Sequence, residues 1–144
     1  MRWLIGALCC VFSVTGQALE FRSVAADAAV LFDAPSAQSK KLYILSRHYP
    51  VEIIVALDAW AKVRDTSGAL AWVETSKLGP KRTVIVIAPV AEIRVQPDAN
   101  AALVFKADHD VALELVEIVS GGWVKVKHRD GQSGFVLMKE VWGI

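Results

Sequence analysis

Two tryptophan-led clusters carry the residue types best suited to recognition chemistry: Trp60-Ala61-Lys62-Val63-Arg64 and Trp123-Val124-Lys125-Val126-Lys127. On an extended strand successive side chains point to opposite faces. Val124 and Val126 then share one face, and Trp123, Lys125 and Lys127 the other; the first cluster divides in the same way. With the valines turned to a core, each indole lies on an outer face beside two cations. An amphipathic indole next to Lys or Arg is a common anchor for a binding partner.

Other residue types invite chemistry and do not complete it. Asp108-His109-Asp110 offers metal-ligating groups, but no further His, Asp or Glu cluster adjoins it, so a solvated polar turn is expected. His48 and His128 have no nucleophile placed by a motif, and there is no G-x-S-x-G, phosphate loop or dinucleotide fingerprint. The sequence therefore assigns no catalytic, metal or cofactor-binding residue, and a binding protein is expected rather than an enzyme.

The elements that must position the tryptophans are hairpins. Trp123 to Val136 reads as a strand, an Asp130-Gly131 turn and a second strand. Such a turn needs positive φ, which Gly supplies without a Cβ clash. The same pattern stands sixty-three positions earlier, where Trp60, Lys62, Val63, Gly68, Trp72 and Val73 answer Trp123, Lys125, Val126, Gly131, Phe135 and Val136. A Trp, a turn Gly and an aromatic at one fixed offset identify an internal duplication. Tyr43 and Tyr49 add aromatic edge to the first copy only, since Phe105 and Asp110 stand at those places in the second.

The 144 residues begin with Met1-Arg2, an apolar run from Trp3 to Val14, and small residues at Gly16 and Ala18. That order predicts a cleavable signal peptide over residues 1–18 and a periplasmic or secreted protein. The apolar run is too short for the ~20 residues of a membrane span, so no stable span is expected in the mature chain. Both cysteines, Cys9 and Cys10, fall inside the segment, which removes disulfide and thiol chemistry from the rest. Without Arg2, fifteen basic residues balance fifteen acidic ones. A neutral chain without a long basic run is not expected to bind nucleic acid.

Apolar runs at Ala29–Phe32, Leu42–Leu45 and Val51–Leu57 precede the first Trp strand; Thr83–Ala88, Ala91–Val95, Leu103–Phe105 and Val111–Val119 precede the second. Outside the leader no stretch has helical periodicity, so the fold class is all-β. Short strands with frequent turns predict two tandem small barrels, residues 21–79 and 84–144. The linker Gly79-Pro80-Lys81-Arg82 is so short that the barrels are expected to touch.

These motifs resemble the bacterial SH3-like (SH3b) domain. In the second copy the resemblance rests on Ala91-Glu92-Ile93-Arg94, Pro97, Gly122 to Val126, Asp130-Gly131 and Gly134-Phe135-Val136. In the first it rests on Pro35, Trp60 to Val63 and Ala71-Trp72-Val73, with Ala71 where Gly134 stands. The resemblance implies an SH3-like binding module. In eukaryotic SH3 domains the similar Trp lines a peptide groove, and bacterial members often accompany cell-wall hydrolases and engage peptidoglycan. A chain of this length is expected to carry no hydrolase domain of its own. The expected function is non-enzymatic binding of a protein or peptide in the cell envelope, with peptidoglycan stem peptide as the alternative. The expected contact residues are Trp60, Lys62, Tyr43, Tyr49, Trp123 and Lys125.

Overall fold

The computed structural model describes residues 19–144, and the expected signal peptide, with Cys9 and Cys10, lies outside the described residues. The first half contains β1 (Phe21–Val24), β2 (Ala28–Phe32), β3 (Lys41–Ser46), β4 (Pro50–Ala56), β5 (Trp60–Arg64), β6 (Leu70–Glu74) and β7 (Leu78–Gly79). The second contains β8 (Thr83–Val86), β9 (Val90–Arg94), β10 (Leu103–Asp108), β11 (Ala112–Val119), β12 (Trp123–Lys127), β13 (Ser133–Leu137) and β14 (Val141–Trp142). Single 3₁₀ turns, Thr75–Lys77 and Met138–Glu140, precede β7 and β14.

Strand order is β3-β2-β6-β5-β4-β1-β7 in one sheet and β10-β9-β13-β12-β11-β8-β14 in the other. Adding seven to each label of the first order gives the second, so the duplication read from the hairpins extends through the whole fold. Gly68 and Gly131 sit at φ 85° and 97°, as the turns after β5 and β12 require. His48 and Asp110 also occupy matching positions, both left-handed, at φ 73° and 67°. This pairing corrects the expected alignment: Asp110 answers His48, and Tyr49 answers Val111.

Alternation places Ala61, Val63, Val124 and Val126 inside, each 3% exposed or less. Each barrel has its own core, one around Val24, Leu31, Val51, Val63 and Val73, the other around Val86, Ile93, Leu113, Val124 and Val136. Burying each such side chain contributes about 1.5–3 kcal/mol. The pairings β4–β5 and β11–β12 both shift register, between Ile53 and Val55 and between Leu115 and Glu117. These bulges bend the sheet and turn Ile54 and Val116 outward. The apolar run from Val111 to Val119 therefore does not pair in one continuous register but shifts after Leu115. Two other expectations shift as well: β10 runs on to Asp108, and β1, β7 and β14 were not legible as strands.

The barrels touch, as the short linker requires. Phe21 of β1 meets Trp142 of β14 edge-on, with ring centroids 5.3 Å apart. The Arg82 guanidinium lies 5.4 Å from the Phe21 centroid and donates to the Gly143 carbonyl at 2.9 Å. Ser23 donates to the Lys81 carbonyl at 2.7 Å, and Thr83 donates to the His48 carbonyl at 2.6 Å.

Candidate functional site

Trp60 opens β5, immediately after the tight Asp58-Ala59 connection. Its ring stands edge-on against Phe32 of β2, centroids 5.3 Å apart at 84°. In register it faces Glu74 of β6, and its carbonyl accepts the Leu57 amide at 2.8 Å. These neighbours leave the indole half-buried beside a groove of about 670 Å³, walled by Pro35 to Gln38 on one side and by Asp58, Glu74 and Ser76 on the other. The groove combines one aromatic face, one proline and two carboxylates. It suits an extended chain that brings an apolar side chain and a cation.

The second tryptophan behaves differently. Trp123 keeps the predicted strand direction but is only 8% exposed, which corrects the expectation of an open indole there. In register it lies between Val119 of β11 and Leu137 of β13, where Trp60 has Glu74 as its β6 partner. Both cross-strand neighbours of Trp123 are thus apolar, whereas one neighbour of Trp60 is a carboxylate.

Lys62 and Lys125 share the outer faces, each opposite an aromatic of the next strand, Trp72 and Phe135. The Lys125 ammonium lies 5.9 Å from the Phe135 centroid, so the cation rests on the neighbouring ring rather than on the tryptophan of its own strand.

Tyr43 and Tyr49 gather at the opposite end of the β5–β6 hairpin from Trp60, roughly 13 Å away along β5 at ~3.3 Å per residue. Tyr43 donates to Asp65 Oδ2 at 2.7 Å, and the Tyr49 and Thr66 hydroxyls are 2.9 Å apart. Burial, and then the bond to Asp65, push the Tyr43 phenol above its usual range. The two tyrosines therefore do not join the Trp60 groove. Tyr49 instead lines a separate groove of about 510 Å³ between the barrels, with Thr66, His109 and Asp110.

Asp65 organises this end. Oδ1 accepts from the Ser67 amide at 2.8 Å and from its hydroxyl at 2.5 Å. Burial alone would raise the carboxyl pKa, but bonds from Ser67, Tyr43 and the amides of Ser67 and Ala69 outweigh it, so the pKa falls below its usual value. An unfolded Asp titrates near ~3.9. A lowered folded pKa adds stability above that pH, and the contribution is lost as pH falls through the folded value. Urea midpoints are thus expected to drop below about pH 4 in the native protein. In Asp65→Asn that drop should be smaller, and an unchanged profile would contradict the assignment.

Among the described residues, sequence alone overlooked Phe32, Asp58 and Glu74 as partners of Trp60. Asp58 was within reach, standing two positions before the indole. Phe32 and Glu74 approach it only through sheet pairing.

The bacterial SH3 domain family matches the chain twice, over residues 25–80 and 88–143. No curated protein matches it. Among solved structures, NlpC2 from Trichomonas vaginalis is similar at 14% identity and a TM-score of 0.41, covering 89% of this chain and 49% of its own. NlpC1 from the same organism gives 14% and 0.40, with 95% and 50% covered. An NlpC/P60 family protein from Bacillus cereus gives 14% and 0.40, with 85% and 56% covered. The chain spans about half the length of these structures.

Proposed function

Because the chain belongs to the bacterial SH3 domain family, whose domains are binding modules and generally non-catalytic, we propose that it binds a protein or peptide partner in the cell envelope through the Trp60 groove. The observation that carries this proposal is the half-exposed indole, braced by Phe32 and flanked by Asp58 and Glu74. Bracing fixes the ring before a partner arrives, so little side-chain entropy is lost on contact. The two carboxylates select an extended segment with a Lys or Arg next to an apolar residue. Trp60 and Lys62 are the contact residues proposed on this face. Trp123 and Lys125 would act there only if the cover over Trp123 opened. Tyr43 and Tyr49 would serve a different surface, at the far end of the hairpin. The mature chain works outside the cytoplasm, in the periplasm or secreted, and uses no cofactor.

Trp60→Ala should lower affinity for a co-purifying envelope protein roughly thirtyfold, the cost of a central aromatic anchor. Circular dichroism should stay unchanged, because the ring is outside the core. Equal affinity in the variant would overturn the proposal. Retention of the native protein on purified sacculi, lost in Trp60→Ala, would replace the protein partner with peptidoglycan stem peptide.

A further inference from the structure

Among the described residues a second depression, of about 330 Å³, lies between the barrels and gathers cations from three separate segments. Arg47 comes from the β3–β4 connection, Lys81 from the linker, and Lys127 and Arg129 from the end of β12 and the turn after it. Asp110 and Glu114 are the carboxylates that line it, which leaves a surplus of two positive charges. Lys81 spends part of its charge on Glu114 at 3.5 Å. Arg47 reaches outward to Asp27 at 2.7 Å, a carboxylate 97% exposed and so weakly held. Neither Lys127 nor Arg129 has a carboxylate within ion-pair distance among the described residues.

His48 lines the same depression as these cations. Its left-handed backbone is fixed by its amide, which donates to the Val24 carbonyl at 2.9 Å, and by its carbonyl, which accepts from Thr83. Strain of this kind persists where the surrounding contacts over-determine it. Burial lowers the imidazole pKa, and the charges of Lys81, Arg47 and Arg129 lower it further against an opposing Glu114. Cations from the first barrel, the linker and the second barrel therefore line one depression around this ring.

We propose that this inter-barrel cleft binds a phosphate-class dianion, at a site that neither barrel has alone. A phosphomonoester carries close to two negative charges at neutral pH, which matches the surplus, and the planar fork of Arg129 suits its oxygens, whereas Arg47 joins only by turning Nε and Nη2 away from the exposed Asp27. The volume is near the lower end of small-molecule sites, ~300–1,000 Å³, enough for a phosphoryl group and a small part of what bears it. The site is distinct from the Trp60 groove and does not depend on it.

The test uses the full mature chain, inorganic phosphate as the probe, and NMR at constant ionic strength. Phosphate should shift the amides of Arg47, His48, Lys127 and Arg129 saturably and raise the pH at which the His48 ring titrates. The groups facing that ring or lining its cleft are Arg47, Lys81, Lys127, Arg129, His128, Asp110 and Glu114, so the same titration is to be followed in Lys127→Gln with Arg129→Gln. Both side chains are exposed, so this double variant should fold, and it should bind phosphate at least roughly tenfold more weakly. Sedimentation with vesicles containing phosphatidic acid, competed by free phosphate, would assign the phosphoryl group to a lipid headgroup. Saturable binding of phosphate without sedimentation would assign it to a soluble ligand. No shift beyond that of matched sodium chloride, or equal binding by the double variant, would overturn the proposal.

Discussion

Gly134→Ala is expected to destabilise the second barrel by about 3 kcal/mol, the upper end for overpacking a tight core. A Cβ at this position would lie 2.6 Å from the Arg94 carbonyl oxygen and 2.6 Å from Ile93 Cγ2, with Val104 Cγ2 at 3.3 Å. The first of these contacts is with backbone, so no rotamer change relieves it, and β9 and β13 must move apart. They pair at a single register position, Phe135 with Arg94, so the separation acts on the seam that joins the β9–β10 pair to the rest of the sheet. The first copy carries buried Ala71 at the matching place and folds into the same strand order. The cost is therefore set by local strand spacing, not by the topology. Hydrogen exchange read barrel by barrel should show the earliest opening in residues 83–144, and native protection there would contradict this.

Phe21→Ala should cost about 3 kcal/mol, in the lower part of the range for a buried aromatic. The ring is 8% exposed, yet much of what it touches lies outside its own barrel: Trp142 of the second barrel edge-on and the guanidinium of the linker's Arg82 over its face. Edge-to-face pairs add about 0.5–1.5 kcal/mol beyond area burial. A barrel of roughly sixty residues without disulfides is marginal alone. Loss of this ring should therefore split unfolding into two transitions, the first barrel melting earlier. A single transition at the native midpoint would show that the barrels do not support each other through Phe21.

The hairpins, the duplication and the all-β class were legible because their causes are local. Alternation in β5 and β12 needs only neighbouring residues, and the Gly68 and Gly131 turns need only positive φ. Phe21–Val24 was not legible, since four residues with Arg and Ser among them carry no clear alternation. Its strand identity comes from pairing with β4 and β7. The fate of the two tryptophans was half legible. Alternation sets Trp60 and Trp123 opposite the core valines, but the burial of Trp123 depends on its surroundings across the sheet, where Val119 and Leu137 are its register neighbours. The separation of Tyr43 and Tyr49 from Trp60 was hidden for a related reason, because the polar contacts of both tyrosines are made at Asp65 and Thr66, beyond the far end of β5. The inter-barrel cations stand some eighty positions apart in sequence, and only docking assembles them.

The two barrels share a strand order and differ in what they display. Glu74 beside Trp60 and Leu137 beside Trp123 leave one indole half-open and the other covered. Duplication thus supplied one open aromatic face and, through the Phe21–Trp142 contact, a partner that props it up.

Site-resolved photocrosslinking in the intact envelope tests the binding face most directly. A photoreactive residue at Ser76, on the rim of the Trp60 groove, should give a discrete adduct that disappears when Trp60→Ala is added. The same group at Lys106, on β10 of the second barrel, should give none. An adduct from Ser76 that persists without the indole, or one that forms only from Lys106, would place the binding surface elsewhere and contradict the account.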